Sequence, residues 1–436
     1  MKAIKVGILG LGTVGGGTAL VLQRNASEIS RRIGRDVEVI MASVRNLDSD
    51  RLCDCSQLTL TQDPFEVVDA AEIDIVVELI GGDTLAKELM LKAIANGKHV
   101  VTANKALIAL HGNEIFAAAE AKDVSVSYES AVAGGIGIIK AIREGLAGNK
   151  IELLAGIING TGNFILTEMR DKGRSFGDVL AEAQSLGYAE ADPTFDVEGI
   201  DAAHKLTILA AIAFGTPLQF EKVYTEGISK LSLTDVAYAE ELGYRIKHLG
   251  IAKNNSDGLE LRVHPTLIPN KRLLANVDGV MNAVLVKGDA VGNTLHYGAG
   301  AGAEPTASAV VADILDIARS IDVSPSCRVP HLGFQPEAIQ PLHVKAPDQF
   351  ESAYYLRFDV NDVAGVMSKL SAKFADQNIS IEAITQKEPN LGQDFVSVIF
   401  ITQRTREGLV DQAIKSIESM ADVRADAVKI RVEHFN

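Results

Sequence analysis

Apolar and amphipathic runs alternate along the first 128 residues. Four short apolar runs have the length and composition of buried strands: 4–10, 36–44, 74–80 and 98–103. Helical patterns lie between them at 16–29 and 85–97, the second closed by Gly97. Strands that alternate with helices predict an α/β domain at 1–128, built on a doubly wound parallel sheet.

Helical patterns dominate from residue 129 to 326, with strand patterns at 151–159 and 281–288. This mixture predicts a second, α+β domain. A long helix is expected at 304–320, with Pro305 in its first turn, and it is expected to pack back onto the first domain. Residues 327–349 contain four prolines and little periodicity, which predicts a linker.

The tail at 350–436 restarts a regular pattern. Strand patterns and helical patterns follow each other in the order βαββαβ: 353–360, 363–377, 379–386, 394–403, 406–420 and 423–433. This order is typical of a small ferredoxin-like module. No catalytic arrangement of side chains is evident within it.

Composition and charge narrow the class of protein. Hydrophobic residues make up 47% of the 436 residues, and the formal net charge is −15. That charge argues against nucleic acid or an anionic membrane as the main partner. No signal peptide is recognisable, and no run approaches the ~20 apolar residues that span a bilayer. Three cysteines without a disulfide framework fit a reducing compartment, so we expect a cytoplasmic protein.

A glycine-rich loop follows the first strand. Gly10, Gly12 and Gly15 form G-x-G-x-x-G and open a helix, which is the context of a Rossmann-like dinucleotide site. The glycines permit a tight turn and let the helix N-terminus approach a pyrophosphate. The alternative is an ordinary glycine-rich turn.

Two basic residues follow later strands of this domain. The second strand ends with Arg45 and no carboxylate, which favours the 2′-phosphate of NADP(H) over NAD(H), although NAD(H) stays possible. Lys105 follows the strand at 98–103, at the sheet edge where such folds bind ligands. Each residue has an alternative as a solvent-exposed side chain without function.

A dense acidic stretch precedes another lysine. In a helix over 199–214, Asp201 and Lys205 continue a stripe with Ile208 and Ile212, which points them toward the core. An exposed i,i+4 pair would instead lie on the polar face. Lysine responds to burial and to neighbouring charge as an acid/base catalyst must. The sequence therefore predicts a proton-handling lysine at 205.

The acids before this helix suit a cationic ligand. Glu190, Asp192, Asp196 and Glu198 lie in a loop that bears proline and glycine. Some are expected to serve the helix N-terminus, which favours negative charge. The rest predict a wall that recognises the ammonium group of an amino acid.

Taken together, these residues resemble the homoserine dehydrogenase family, in the bacterial form that carries a C-terminal ACT module. The resemblance covers nearly the whole chain, through these segments: "GLGTVG", "TANKALI", "YESAVAGGIGIIK", "GIINGTGNFILTEM", "GYAEADPTFDVEGIDAAHKL", and "GAGAG" before "EPTASAVVADI". The family interconverts L-homoserine and L-aspartate 4-semialdehyde with NAD(P)(H), on the route to threonine and methionine. The resemblance thus implies a catalytic, substrate-binding and dimerisation domain at 129–326 and a regulatory ACT domain at 350–436.

The resemblance also implies roles for individual residues. Lys205 matches the proton donor and acceptor, with Lys105 near the reacting oxygen. Glu190 and Asp201 match residues that hold the amino and hydroxyl ends of homoserine, supported by Asp196. The positions that match cofactor contacts, beyond the three glycines of the loop, are Thr13, Val14, Arg45, Thr102, Lys105, Gly187 and Gly302.

A monovalent-cation site, usually sodium in the family, is implied at Glu129 and the backbone of Val132, Gly134 and Ile136. Two departures touch these motifs. Gly137 stands where the family often has proline, which loosens the loop around the cation. Gly162 stands where a hydroxyl residue is common.

The tail implies regulation. "DVAGVM" (362–367) and "NISIEAITQ" (378–386) lie where ACT modules bind amino acids between paired copies, which implies threonine as effector and a dimer or tetramer. The alternative is a module used only for assembly. Another amino-acid dehydrogenase and a catalytically silent amino-acid sensor remain alternatives for the whole chain, although two lysines together argue against a sensor.

Overall fold

The computed structural model of the protein describes residues 2–387 and 395–435. Six parallel strands form the first sheet, in the spatial order β3-β2-β1-β4-β5-β6. Their bounds are β1 Ile4–Leu9, β2 Val37–Ser43, β3 Thr59–Thr61, β4 Ile75–Glu78, β5 His99–Thr102 and β6 Val126–Ser127. This is the strand order of a dinucleotide-binding Rossmann sheet, as predicted.

Five helices connect these strands: α1 Thr13–Arg24, α2 Ala26–Ile33, α3 Pro64–Asp69, α4 Leu85–Ala95 and α5 Lys105–Ala121. The single helix predicted at 16–29 is wrong, because two helices meet at Asn25 (φ −105°, ψ 15°). Asparagine has a lower helix propensity than leucine or alanine, although its side chain makes no capping hydrogen bond here. The apolar period runs through the break, so the pattern alone did not reveal it.

The middle of the chain adds seven helices and six strands. The helices are α6 Ile138–Lys140, α7 Gly160–Lys172, α8 Phe176–Ser185, α9 Thr194–Val197, α10 Ile200–Phe214, α11 Leu233–Glu241 and α12 Ala303–Ser320. The strands are β7 Ile151–Ile157, β8 Tyr224–Thr225, β9 Tyr244–Asn255, β10 Gly258–Pro269, β11 Met281–Gly288 and β12 Gly292–Ala299. Helix α12 returns to the first sheet, where Val310, Ile314 and Ile317 share a buried core with Ile4 and Val6.

Close contact between α1 and α12 depends on a glycine. A Cβ atom at Gly17 would lie 2.8 Å from the carbonyl oxygen of Ala303. Any larger residue at this position would push α12 away from α1 and from the glycine loop that precedes α1.

The tail has the predicted βαββαβ order, with one additional two-residue strand, Thr405–Arg406 (β16), before the second helix. Its elements are β13 Glu351–Asn361, α13 Val366–Asp376, β14 Ile381–Gln386, β15 Phe395–Thr402, β16 Thr405–Arg406, α14 Glu407–Glu418 and β17 Val428–Val432. The strand predicted at 394–403 begins with residue 394, which lies outside the described residues. No helix in the described ranges is long and apolar enough to cross a bilayer.

The tail shares a sheet with the middle of the chain. The second sheet runs β12-β11-β7-β9-β10-β17-β13-β15-β14, with β8 beside β10 and β16 beside β13. The junction is a short parallel pairing of β17 with β10, through Thr266 opposite Arg431 and Leu267 opposite Val432. Residues 327–349 also touch the body, since Val344 forms a bridge with Leu259. The domain boundaries and the linker stay predictions.

Buried charges hold this junction together. Arg431 on β17 is fully buried, and its guanidinium donates to Glu226 (Nη1–Oε2 2.8 Å) and to Glu407 (Nε–Oε2 2.8 Å). Arg262 on β10 is also fully buried and pairs with Glu433 at 2.6 Å. Such pairs stabilise little by themselves, but a buried charge that loses its partner destabilises strongly.

We expect Arg431→Met to lower the free energy of unfolding by about 1–3 kcal/mol, because Glu407 stays buried and keeps only Lys429, at 2.8 Å, as a cationic partner among the described residues. Urea denaturation followed by circular dichroism measures the change. The control is Arg404→Met, since that side chain is 65% exposed and lies 3.6 Å from Glu351. Equal stability of the two variants would contradict the importance of the buried network.

Candidate active site

A cleft lies between the two sheets, where several chain segments end together. Lys105 begins α5 just after β5, and Asn159 precedes α7 just after β7. Helix α10 brings Asp201 and Lys205 to the same place. These side chains line a cavity of about 400 Å³ together with Thr161, Gly187, Tyr188, Asp196, Asn282 and the turn at 299–302.

Asp201 lies between the two lysines. Its Oδ2 accepts a hydrogen bond from Lys205 Nζ at 2.7 Å, and its Oδ1 lies 3.0 Å from Lys105 Nζ. The Asp201 side chain is 4% exposed, Lys205 11% and Lys105 36%. The ammonium of Lys205 also donates to the carbonyl oxygen of Ile158 at 2.7 Å. One carboxylate therefore contacts both amines of the cleft.

Burial and neighbouring charges shift the pKa values of Lys205 and Lys105 in opposite directions. Burial lowers the pKa of Lys205, and the nearby Lys105 charge lowers it further, while Asp201 offsets part of the change. Burial would also lower the pKa of Lys105, but the carboxylates of Asp201, Asp196 and Glu190 together raise that pKa. For Asp201, burial alone would raise the pKa, yet Lys205 and Lys105 hold it well below its usual range. Lys205 is thus the amine that releases its proton more readily.

Asn159 is a functional candidate that the sequence analysis did not select. Its Nδ2 donates to Asp196 Oδ1 at 2.7 Å and to Asp201 Oδ2 at 2.9 Å, while its Oδ1 accepts from the backbone amide of Gly162 at 2.7 Å. The side chain caps α7 and orients both carboxylates at once. An asparagine directly after a buried strand was the available signal.

The two other predicted substrate residues differ in position. Asp196 lines the cleft, and its pKa is raised by burial and by the neighbouring charge of Asp201. Glu190 lies on the exposed loop before α9, outside the cavity lining, although its charge contributes to the raised pKa of Lys105. Asp196 is therefore the second carboxylate of the cleft proper.

A second cavity, of about 680 Å³, lies beside the glycine loop. Its lining includes Gly10, Gly12, Arg45 and Arg51. A Cβ atom at Gly15 would lie 1.9 Å from the carbonyl oxygen of Gly10, so only glycine permits this turn at the start of α1. The open loop, the helix N-terminus and the two guanidinium groups fit a dinucleotide with its phosphates.

The remaining predicted cofactor positions surround these two cavities. Thr13 and Val14 begin α1, and Gly187 and Gly302 line the cleft with positive φ. Thr102 is buried, and its hydroxyl donates to Glu78 Oε2 at 2.6 Å while accepting from the amide of Asn104 at 3.0 Å. Thr102 thereby shapes the loop that carries Lys105.

The predicted cation residues cluster around Glu129. Its two carboxylate oxygens accept from the amides of Ile139 and Lys140, each at 2.8 Å. Its own amide donates to Asp313 at 2.8 Å. Burial and the charge of Glu129 raise the pKa of Asp313 well above its usual value. Val132, Gly134 and Ile136 follow Glu129 in the same loop, and Gly134 lines a cavity of about 390 Å³ with both acids.

Among the described residues, no three histidine, cysteine or acidic side chains are arranged to hold a metal ion. Cys53 and Cys55 are free, with sulfur atoms 3.8 Å apart. His99 accepts from the amide of Ser125, and His204 packs between Phe195 and Phe220. These contacts are structural in kind.

Comparison with known proteins gives three family matches along the chain. The homoserine dehydrogenase NAD-binding model matches residues 10–129, the homoserine dehydrogenase model residues 137–315 and the ACT domain model residues 354–419. A homoserine dehydrogenase from Pseudomonas aeruginosa is 62% identical over 436 residues and covers 100% of both chains. A crystal structure of a homoserine dehydrogenase from Thiobacillus denitrificans has 61% identity and a TM-score of 0.95, covering 100% of this chain and 99% of that one.

A more distant structure is a hyperthermophilic archaeal homoserine dehydrogenase in complex with NADPH. It shares 28% identity at a TM-score of 0.62, and the match covers 72% of this chain and 97% of that chain.

Proposed function

The chain belongs to the homoserine dehydrogenase family, and we propose that Lys205 transfers the proton when it interconverts L-homoserine and L-aspartate 4-semialdehyde. The observation that carries this proposal is the Asp201 carboxylate held between Lys205 and Lys105 in the cleft. The bound nicotinamide dinucleotide supplies or takes up the hydride. The residues of the chain have to bind the amino acid, orient it and move one proton.

Acidic side chains of the cleft suit the substrate's ammonium group. Asp201 is already neutralised by two lysines, whereas the Asn159 amide is the one close partner of Asp196 among the described residues. Asp196 therefore retains capacity for a cation, and Glu190 adds negative charge from the loop above it. We assign the ammonium group of homoserine to Asp196 and Glu190, and its hydroxyl group to the side of Asp201 and the lysines.

Proton transfer follows from the unequal amines. In the reductive direction, the aldehyde oxygen gains negative charge and needs a cation and a proton. Lys105, whose pKa is raised, provides lasting positive charge. Lys205, whose pKa is lowered, gives up its proton and recovers it in the reverse reaction. Asn159 and the Ile158 carbonyl hold Asp201 and Lys205 in position for this exchange.

We expect Lys205→Ala to lower kcat by about 10²–10⁴-fold, because that is the usual contribution of a positioned acid or base. The affinity for homoserine should stay largely intact, since Asp196 and Asp201 remain. In the wild-type enzyme, homoserine oxidation should rise with pH around a midpoint below the ordinary lysine pKa, and the variant should lose this rise. Steady-state absorbance of the reduced nicotinamide measures both.

The matched control is Lys172→Ala, which removes an exposed lysine paired with Glu168 and should leave kcat unchanged. Turnover like that of the wild type in Lys205→Ala would remove the assignment of the proton to Lys205.

We further propose NADP(H) as the preferred cofactor. Arg45 lies exposed at the rim of the dinucleotide cavity, and Arg51 lines the same cavity. Two guanidinium groups near the end of β2 suit the extra phosphate of NADP(H) and find no charged partner on the ribose of NAD(H). The archaeal relative in complex with NADPH supports this preference.

We expect Arg45→Ala to raise the KM for NADP⁺ by about 10–100-fold, the value of a charge-assisted hydrogen bond, and to leave the KM for NAD⁺ unchanged. Steady-state kinetics with both dinucleotides measures the two constants. The control is Arg31→Ala, which removes another exposed guanidinium of the same domain. An equal rise with both dinucleotides would contradict recognition of the 2′-phosphate.

A monovalent cation, with sodium as the expected ion, is proposed beside Glu129 and the backbone of Val132, Gly134 and Ile136. The support is the pair of adjoining buried acids, Glu129 and Asp313, because a hard cation between oxygen atoms relieves their repulsion.

The free cysteines fit a reducing compartment, and we propose the cytoplasm.

Threonine is the proposed effector, acting on a dimer or tetramer in the route to threonine and methionine. A cavity of about 270 Å³ lies under the loop at 361–367 and beside Gln386, and it has the size of a small amino acid.

Asp235 on α11 connects the tail to the body, since it accepts from Arg357 Nε at 2.8 Å and from the Tyr355 hydroxyl at 3.1 Å. Helix α11 packs on α7, which Asn159 caps.

We expect Asp362→Ala, in the loop of this cavity, to raise the threonine concentration for half inhibition by about tenfold or more, because an ammonium group loses its carboxylate. Initial rates at graded threonine concentrations measure the change. Asp376→Ala at the other end of α13 is the control. Unchanged sensitivity in Asp362→Ala would contradict this effector site, and insensitivity of the wild type would leave the module a role in assembly alone.

A further inference from the structure

One buried side-chain amide in the cleft has no hydrogen-bond partner in the part of the chain that the structure describes. Asn282 on β11 is 1% exposed, and neither its Nδ2 nor its Oδ1 makes a hydrogen bond to any described residue. Its side chain nevertheless lines the cavity that holds Lys105 and Lys205. Leaving a buried donor and acceptor unpaired is unfavourable, so this amide needs a separate explanation.

The surroundings keep the amide free of protein partners. A Cβ atom at Gly300 would lie 2.2 Å from Asn282 Oδ1, and one at Gly160 would lie 3.6 Å from it. Both flanking positions are glycine and offer no side chain. The carbonyl oxygen of Gly300 already accepts from the amide of Gly134 at 2.9 Å. Asn282, Gly160 and Gly300 line the same cavity, so a ligand in the cleft lies beside this amide.

A comparison with Asn163 shows that a buried side-chain amide with a packing role has hydrogen-bond partners in this protein. Asn163 is also 1% exposed, but its Nδ2 donates to the carbonyl oxygens of Val277, Gly279 and Met281, and its Oδ1 accepts from Lys247. Asn163 thus reaches Met281, the residue directly before Asn282 on β11. Its hydrogen bonds are made, whereas those of the Asn282 side chain are not made within the described residues.

We propose that Asn282 is a positioning residue that pairs with the carboxamide of the nicotinamide ring. A carboxylate or an ammonium group would satisfy only one of the two free atoms of Asn282. A second carboxamide satisfies both, with its oxygen accepting from Nδ2 and its amino group donating to Oδ1. Such a pair fixes the rotation of the ring and therefore which of its faces meets Lys205 and Lys105. The inference rests on the proposed function only in placing the nicotinamide end in this cleft.

The test compares dinucleotides that differ at the carboxamide. Isothermal titration calorimetry gives the Kd of NADP⁺ and of its 3-acetylpyridine analogue, in which a methyl group replaces the amino group. Wild-type protein should bind NADP⁺ about tenfold more tightly, because the analogue leaves Oδ1 unpaired. The NAD⁺ pair is measured in the same way, so that the result does not depend on Arg45.

Two variants separate the donor from the acceptor. Asn282→Leu removes both, and the ratio of the two Kd values should fall close to one. Asn282→Asp keeps an acceptor for the amino group, so the ratio should persist although both dinucleotides bind more weakly. A ratio unchanged in Asn282→Leu would overturn the proposal, as would a loss of homoserine affinity with the ratio intact.

Thermal unfolding gives a readout independent of cofactor. Asn282→Leu should leave the melting temperature of the free protein unchanged or raise it, because no hydrogen bond is lost. Asn163→Ala should lower it and leave the Kd ratio unaltered. Failure of Lys205 as the proton carrier would appear in kcat and leave these binding ratios untouched, so the two proposals fail separately.

Discussion

The cleft depends on one carboxylate shared between two amines. Asp201 is buried, and it stays ionised because Lys205 and Lys105 contact its two oxygens. Without the lysines, burial would favour the neutral acid, and without the acid, two adjacent ammonium groups would repel each other. The charges of the three groups thus stabilise one another in the cleft. Asn159 orients the carboxylate. Because the two amines are unequally buried, Lys105 keeps its positive charge while Lys205 can release its proton.

Much of this arrangement was predictable because it follows from local patterns. The glycine loop after β1 and the apolar stripe of α10 are periodic or positional signals, and they led to Gly10, Lys205 and Asp201. Lys105 followed from its place after a parallel strand. The βαββαβ order of the tail was equally visible, since each element carries its own period.

What escaped prediction depends on partners that are distant along the chain. Asn159 has its role because it donates hydrogen bonds to carboxylates near residue 200. Asn282 has its role because two glycines and a cavity lie beside it. Arg431 resembles a surface arginine in the sequence, because Glu226 and Glu407 come from separate elements. The pairing of β17 with β10 has no signal in either strand. The break at Asn25 was missed for the opposite reason, since the apolar period continues through it.

The short pairing between β10 and β17 also constrains the order of events during synthesis. A ribosome makes β10 long before it makes β17, so the Thr266–Leu267 edge of the nascent sheet waits without its neighbour. Arg262 waits in the same way for Glu433. Open strand edges template unwanted association between chains, and here the strand that closes the edge is the last one in the described chain. The Thr266–Leu267 edge of β10 therefore stays open to other chains until β17 has been made and has paired with it.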